Sequence, residues 1–110
     1  MAVHILTKTP NGLLGKLKEA IKNGSIVTWL CDSDGDFTHD TDQWKKLAWF
    51  RPKVGNNELI FNILKPQNGA VSQEVYAIYH GRFIESMLAH FDNLFTTAYA
   101  SAAVEPGDLV

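Results

Sequence analysis

Apolar residues recur at helical spacing in two stretches of the chain. In 10–23, Leu13, Leu14, Leu17, Ala20 and Ile21 share one face, and Lys16, Lys18 and Lys22 lie on others. Thr9 stands at the N-cap position, Pro10 at the first helical position, and Asn23-Gly24 supplies a left-handed stop. In 82–100, Ile84, Met87, Leu88, Phe91, Leu94, Phe95 and Ala98 form a stripe about 120° wide, which predicts a long closing helix. Between them lie four runs rich in β-branched and aromatic residues: SIVTWLC (25–31), WKKLAWFR (44–51), ELIFNIL (58–64) and EVYAIYH (74–80). Val3-His4-Ile5-Leu6 adds a short N-terminal strand.

The connections PKVGNNE and KPQNGAVS read as hairpin turns, so neighbouring strands are expected to pair. The order α-β-β-β-β-α predicts an α+β two-layer sandwich, a four-stranded antiparallel meander with the N-terminal and long C-terminal helices on one face. A chain of 110 residues has room for one modest core. A single domain over 1–103 is expected, followed by a flexible tail at 104–110, where Pro106-Gly107 interrupts regular structure.

Charge changes this picture locally. The net charge of −2 gives no prior for nucleic acid or an acidic membrane, but residues 31–43 sum to −5 and residues 44–65 to +4. Cys31 is the only cysteine, which excludes an internal disulfide framework and suits a reducing compartment. The N-terminal residues lack the basic and apolar regions of a signal peptide, and no apolar run is long enough to span a bilayer. A cytoplasmic protein without membrane contact is the expectation.

The acidic stretch DSDGDFTHDTD (32–42) holds five of the seven aspartates. Asp32, Asp34 and Asp36 match positions 1, 3 and 5 of a calcium loop and Asp40 matches position 9, making these four the candidate ligands for calcium or magnesium. The match then fails: Phe37 replaces the turn glycine and Gln43 the bidentate glutamate, and strands rather than helices are expected on either side. The structural reading of the same residues is a solvated connection whose side chains satisfy backbone groups.

Four histidines lack the spacing of a zinc motif. In a simple meander His80 ends at the sheet edge opposite Asp32, and His90, on the last helix, is the distant histidine able to approach the acidic loop. YHGRF (79–83) places His80 and Arg82 beside a helix start at Gly81, a candidate anion site; a structural tie through Arg82 is the alternative. GLLGK (12–16) lacks phosphate-loop spacing, and Cys31 beside Asp32 reads as a packed thiol.

WKKLAWFRPK interleaves Trp44, Trp49 and Phe50 with Lys45, Lys46, Arg51 and Lys53, a pattern able to stack bases and neutralise phosphates. The element order resembles that of double-stranded-RNA-binding modules, but GRFIESMLAHF lacks their basic cluster at the final helix. Nucleic acid is therefore disfavoured. Trp44, Trp49, Phe50 and Arg51 form the expected interaction surface. The preferred function is a non-catalytic protein-interaction module, including a homodimer through an aromatic sheet face. The alternatives are a divalent-cation-binding domain or metal-dependent hydrolase using the 32–42 loop, and a nucleic-acid-binding module using Lys45, Trp49 and Arg51.

Overall fold

Helix α1 forms where its pattern places it. In the computed structural model, which describes all 110 residues, it spans Pro10–Lys22 and buries Leu13, Leu17 and Ala20. Its last turn closes through the Asn23 N–H on the Glu19 carbonyl, and Gly24 turns away at φ +83°. The strands are β1 (Ala2–Leu6), β2 (Trp29–Cys31), β3 (Phe37–His39), β4 (Trp49–Gly55), β5 (Glu58–Leu64) and β6 (Thr97–Ala100). Helix α2 spans Gln73–Phe91 and is followed by a 3-10 turn at Asp92–Leu94. The protein is an α+β fold with a six-stranded antiparallel sheet, in the order β2-β3-β4-β5-β1-β6, and two helices. No helix is long and apolar enough to cross a membrane.

Strand alternation sorts the residues onto two faces. Val3, Ile5, Phe37, Phe50, Leu59, Phe61 and Ile63 join Leu13 and Leu17 of α1 and Tyr79, Phe83, Met87 and Phe91 of α2 in one core. Phe83 lies at its centre, with ring centroids 4.5 Å from Phe61 and 5.0 Å from both Phe50 and Trp29. Truncating a residue so placed to alanine costs about 3–5 kcal/mol.

The sheet has six strands where a four-stranded meander and a short N-terminal strand were expected, and the difference begins at 74–80. That segment is the first half of α2, not a strand. Val75, Tyr79, Phe83, Met87 and Phe91 are spaced by four residues across Gly81, so one helical stripe runs through the supposed break. Ser72 caps the helix by accepting the Val75 N–H at 3.1 Å. Gly81 is exposed, and a Cβ there would meet nothing within 4 Å, so it serves no turn. The helix expected to reach residue 100 ends at Phe91. Thr96, Thr97 and Tyr99 favour extended backbone, and the Thr96 N–H finds the Leu6 carbonyl at 2.9 Å. With 74–80 helical, the strand beside β5 is β1, paired from Ala2↔Asn62 to Leu6↔Glu58.

The runs at 25–31 and 44–51 are strand only in part, since β2 begins at Trp29 and β4 at Trp49. Residues 41–47 form a turn, with Trp44 and Lys45 N–H groups on the Thr41 carbonyl and Lys46 at φ +58°. The buried Tyr79 hydroxyl holds this turn: it donates to the Trp44 carbonyl, accepts from the Leu47 N–H at 3.1 Å, and lies 3.4 Å from Thr38 Oγ1.

The C-terminal residues, expected to be loose, lie against the uncovered sheet face. Asn62 Nδ2 donates to the Pro106 carbonyl at 3.1 Å and to Asp108 Oδ1 at 2.9 Å. Leu109 bridges Leu64 in parallel, its N–H on the Ile63 carbonyl at 2.9 Å. His4 Nε2 meets Glu105 Oε2 at 2.8 Å. Hydrogen bonds from Ser101 and His4 hold the Glu105 carboxyl below the usual range. Burial opposes ionisation of Asp108, but its hydrogen bonds from Asn62, the Glu105 amide and the Met1 amine outweigh burial and keep its pKa low.

Candidate functional site

The acidic stretch is a tight hairpin followed by a strand, not one solvated connection across 32–42. The Asp32 N–H donates to the Asp36 carbonyl at 2.8 Å and closes the turn between β2 and β3. Asp32 Oδ1 accepts the amides of Asp34 at 3.0 Å and Asp36 at 2.9 Å, the local turn bonding that short acidic side chains favour. Gly35 takes φ +83°, a conformation most side chains resist. This geometry gathers the carboxylates of Asp32, Asp34 and Asp36, whose ligand atoms lie within 4.8 Å of one another.

Asp40, the fourth candidate ligand, is not among them. It follows β3 at its far end, where its N–H bonds the Thr28 carbonyl at 2.7 Å. His39 is buried and points into the aromatic core, stacked on Trp29 at 4.7 Å. His90 sits over α1, in a hollow with Lys16, Glu19 and Asn23, and does not approach the aspartates.

The three carboxylates differ in what they can still do. Asp36 is buried and receives a bidentate bond from Arg51, Nε to Oδ1 at 3.0 Å and Nη2 to Oδ2 at 2.8 Å. That hydrogen bond and the charge behind it raise the guanidinium pKa further. Asp36 is therefore a positioning group for Arg51, a pairing absent from the sequence reading, although the block charges of −5 and +4 hinted at it. Asp34 and the Asp32 Oδ2 remain open to a ligand. They border a cleft of about 350 Å3 lined also by Trp49, Leu64, Lys65 and Gln67. The cleft lies on the sheet face opposite the helices, on the β3–β4 side that the C-terminal segment leaves bare.

The other candidates fall elsewhere. His80 and Arg82 are in the middle of α2, so the helix start that would bind an anion is not at Gly81. His80 is buried, with Nδ1 2.7 Å from the Tyr76 carbonyl and Nε2 3.0 Å from the Met1 carbonyl, while Arg82 is exposed. Burial lowers the His80 pKa, and the two carbonyls offset this only in part. Of the expected interaction surface, Phe50 belongs to the core, Trp44 is half-buried against that core from within the 41–47 turn, and Trp49 and Arg51 share the outer face. Both faces of WKKLAWFR are thus used, one for packing and one outward.

Chemically, the cleft is a set of oxygen acceptors beside an indole and an aliphatic wall. The Cys31 thiol nearby has its pKa raised by burial first, with Lys18 opposing and Asp32 adding to the rise, so it stays a thiol at neutral pH. The chain matches no protein-family model, no curated protein and no solved structure.

Proposed function

We propose that this protein is a non-catalytic protein-interaction module that docks a basic segment of a partner protein on the bare end of its sheet face. The observation that supports it is the cleft between the acidic turn and Trp49, open on a face the rest of which is occupied by the protein's own C-terminal residues. Its charge selects the partner. Arg51 neutralises Asp36, and Lys65 offsets one of Asp32 and Asp34, so the cleft keeps a negative charge. An arginine or lysine side chain entering there meets carboxylates on one side and the Trp49 ring on the other, the pairing that cation–π contacts require. Leu64 receives an adjacent apolar side chain.

The test is a titration of 15N-labelled protein with the probe peptide Ac-Leu-Arg-Leu-Lys-NH2 and its acidic counterpart Ac-Leu-Glu-Leu-Glu-NH2. The basic peptide should shift the Trp49 indole and the amides of Asp34 and Gln67, and the acidic one should not. Asp32→Asn with Asp34→Asn, which keeps the turn acceptors, should weaken binding about fivefold, as expected for exposed ion pairs of about 0.5 kcal/mol each. Equal responses to both peptides, or none, would reject the docking reading. A response to calcium or magnesium alone at the same resonances would replace it with the cation reading.

A further inference from the structure

We propose that β6 is a dimerisation edge, through which two copies of this chain join into one continuous sheet about a two-fold axis at Tyr99. The proposal does not rest on the acidic cleft, which lies towards the other end of the sheet. β6 is the outermost strand and pairs only with β1, from Val3↔Ala100 to Leu6↔Thr97. The Ser101 N–H on the Ala2 carbonyl, at 3.0 Å, sets the parity of that ladder. Hydrogen-bonded pairs alternate in an antiparallel ladder, so Tyr99 bonds towards β1 while the N–H and C=O groups of Ala98 and Ala100 turn outward.

Edge strands of soluble proteins are usually guarded by charge, proline or a bulge. From Asn93 to Val104 this chain has no charged residue, no proline and no glycine. The opposite edge is different. β2 is three residues long and runs directly into Asp32 and Asp34. One edge is guarded and the other is open.

The open edge is complementary to itself. Placing two β6 strands antiparallel about Tyr99 sets Ala98 opposite Ala100 of the second copy and Ala100 opposite its Ala98. All the outward N–H and C=O groups of these residues then pair across the axis. Tyr99 meets Tyr99 of the second copy as a non-hydrogen-bonded pair, the closer of the two cross-strand spacings. Its ring already lies flat on His4, at 4.7 Å and 4° between planes, and is 45% exposed, so it presents a fixed apolar surface to its mate. The small side chains of Ala98 and Ala100 allow the edges to approach. Pairing ends at two copies because the outer edges of the joined sheet are then both β2, and an isologous contact of this kind is closed.

Sedimentation equilibrium of the full chain, from about 10 µM to about 1 mM, should show a reversible dimer of the modest affinity expected for a short interface. Tyr99→Cys in a Cys31→Ser background should cross-link under mild oxidation, because a non-hydrogen-bonded pair places Cα atoms about 4.5 Å apart, within disulfide range. Ala100→Pro removes an outward N–H without touching the β1 ladder and should give a folded monomer with unchanged circular dichroism. Ala100→Lys tests the same edge if the proline variant fails to fold. A wild-type monomer throughout the range overturns the proposal, as does a dimer that survives the folded Ala100 variant and does not cross-link through Tyr99→Cys.

Discussion

Replacing Tyr79 with phenylalanine removes one oxygen from the centre of the protein and nothing else. The ring is fully buried, edge-on to Trp29 at 5.6 Å and to His39 at 5.8 Å, and phenylalanine keeps both contacts. The hydroxyl bonds the Trp44 carbonyl and the Leu47 N–H, and lies at the hydrogen-bond limit from Thr38 Oγ1, which already donates to the Ala48 carbonyl at 2.8 Å. Two backbone groups therefore lose their partner. A net hydrogen bond contributes about 0.5–1.5 kcal/mol, and a stranded buried group costs about 1–3 kcal/mol. Leu47 lies near enough to solvent for water to recover part of the loss. The sum is about 2 kcal/mol. Urea titration at neutral pH measures this directly, and calorimetry should show a fall in Tm of about 8–16 °C for a domain of this size. Tyr76→Phe is the control, since the Tyr76 hydroxyl bonds no protein group. A cost below about 0.5 kcal/mol, or one no larger than that of Tyr76→Phe, would refute the role of this hydroxyl in holding the 41–47 turn.

Burial lowers the pKa of both His39 and His80 from 6.5, chiefly by desolvation; at His39 the Thr28 carbonyl opposes and Arg82 assists. The unfolded chain therefore binds more protons, and stability complete above pH 6.5 should be lost as pH falls below it, measured by urea titration at a series of pH values. Neither ring nitrogen of His39 forms a hydrogen bond of normal geometry, and the Thr28 carbonyl beside it already accepts the Asp40 N–H at 2.7 Å, so His39→Phe should strand no group and should reduce the acid slope; an unchanged slope would count against this assignment. Gly81→Ala should stabilise the protein by about 0.5–1 kcal/mol, because the site is exposed, helical and open to a methyl group; a destabilised variant would contradict the helical reading of 73–91. Asn62→Ala should free the C-terminal segment, raising hydrogen exchange at Lys65 and Leu109 at least several-fold while core amides of β5 stay protected. Equal protection in both proteins would show that the segment is held without Asn62.

What the chain determined by itself is local: α1 from its stripe and its Asn-Gly stop, β5 from an apolar run broken only by Asn62, the short strand at Val3–Leu6, and the carboxylate cluster from three aspartates at alternate positions. Each follows from neighbours a few residues apart. The tertiary structure decided what distant partners determine. EVYAIYH carries β-forming residues, yet packing of Tyr79 and Phe83 against Trp29, Phe50 and Phe61 rewards the helical period over the local preference. Thr97–Ala100 is strand because β1 offers it a ladder, and β1 lies some ninety residues away. DSDGDFTHDTD is divided by the same logic. Its first half is a turn made by its own amides and side chains, while its second half is a buried strand whose Phe37 pairs with Phe50 and whose His39 stacks on Trp29. Short-range patterning fixes which residues can turn or coil; long-range burial and strand pairing choose among those options, and here they left two carboxylates open beside Trp49.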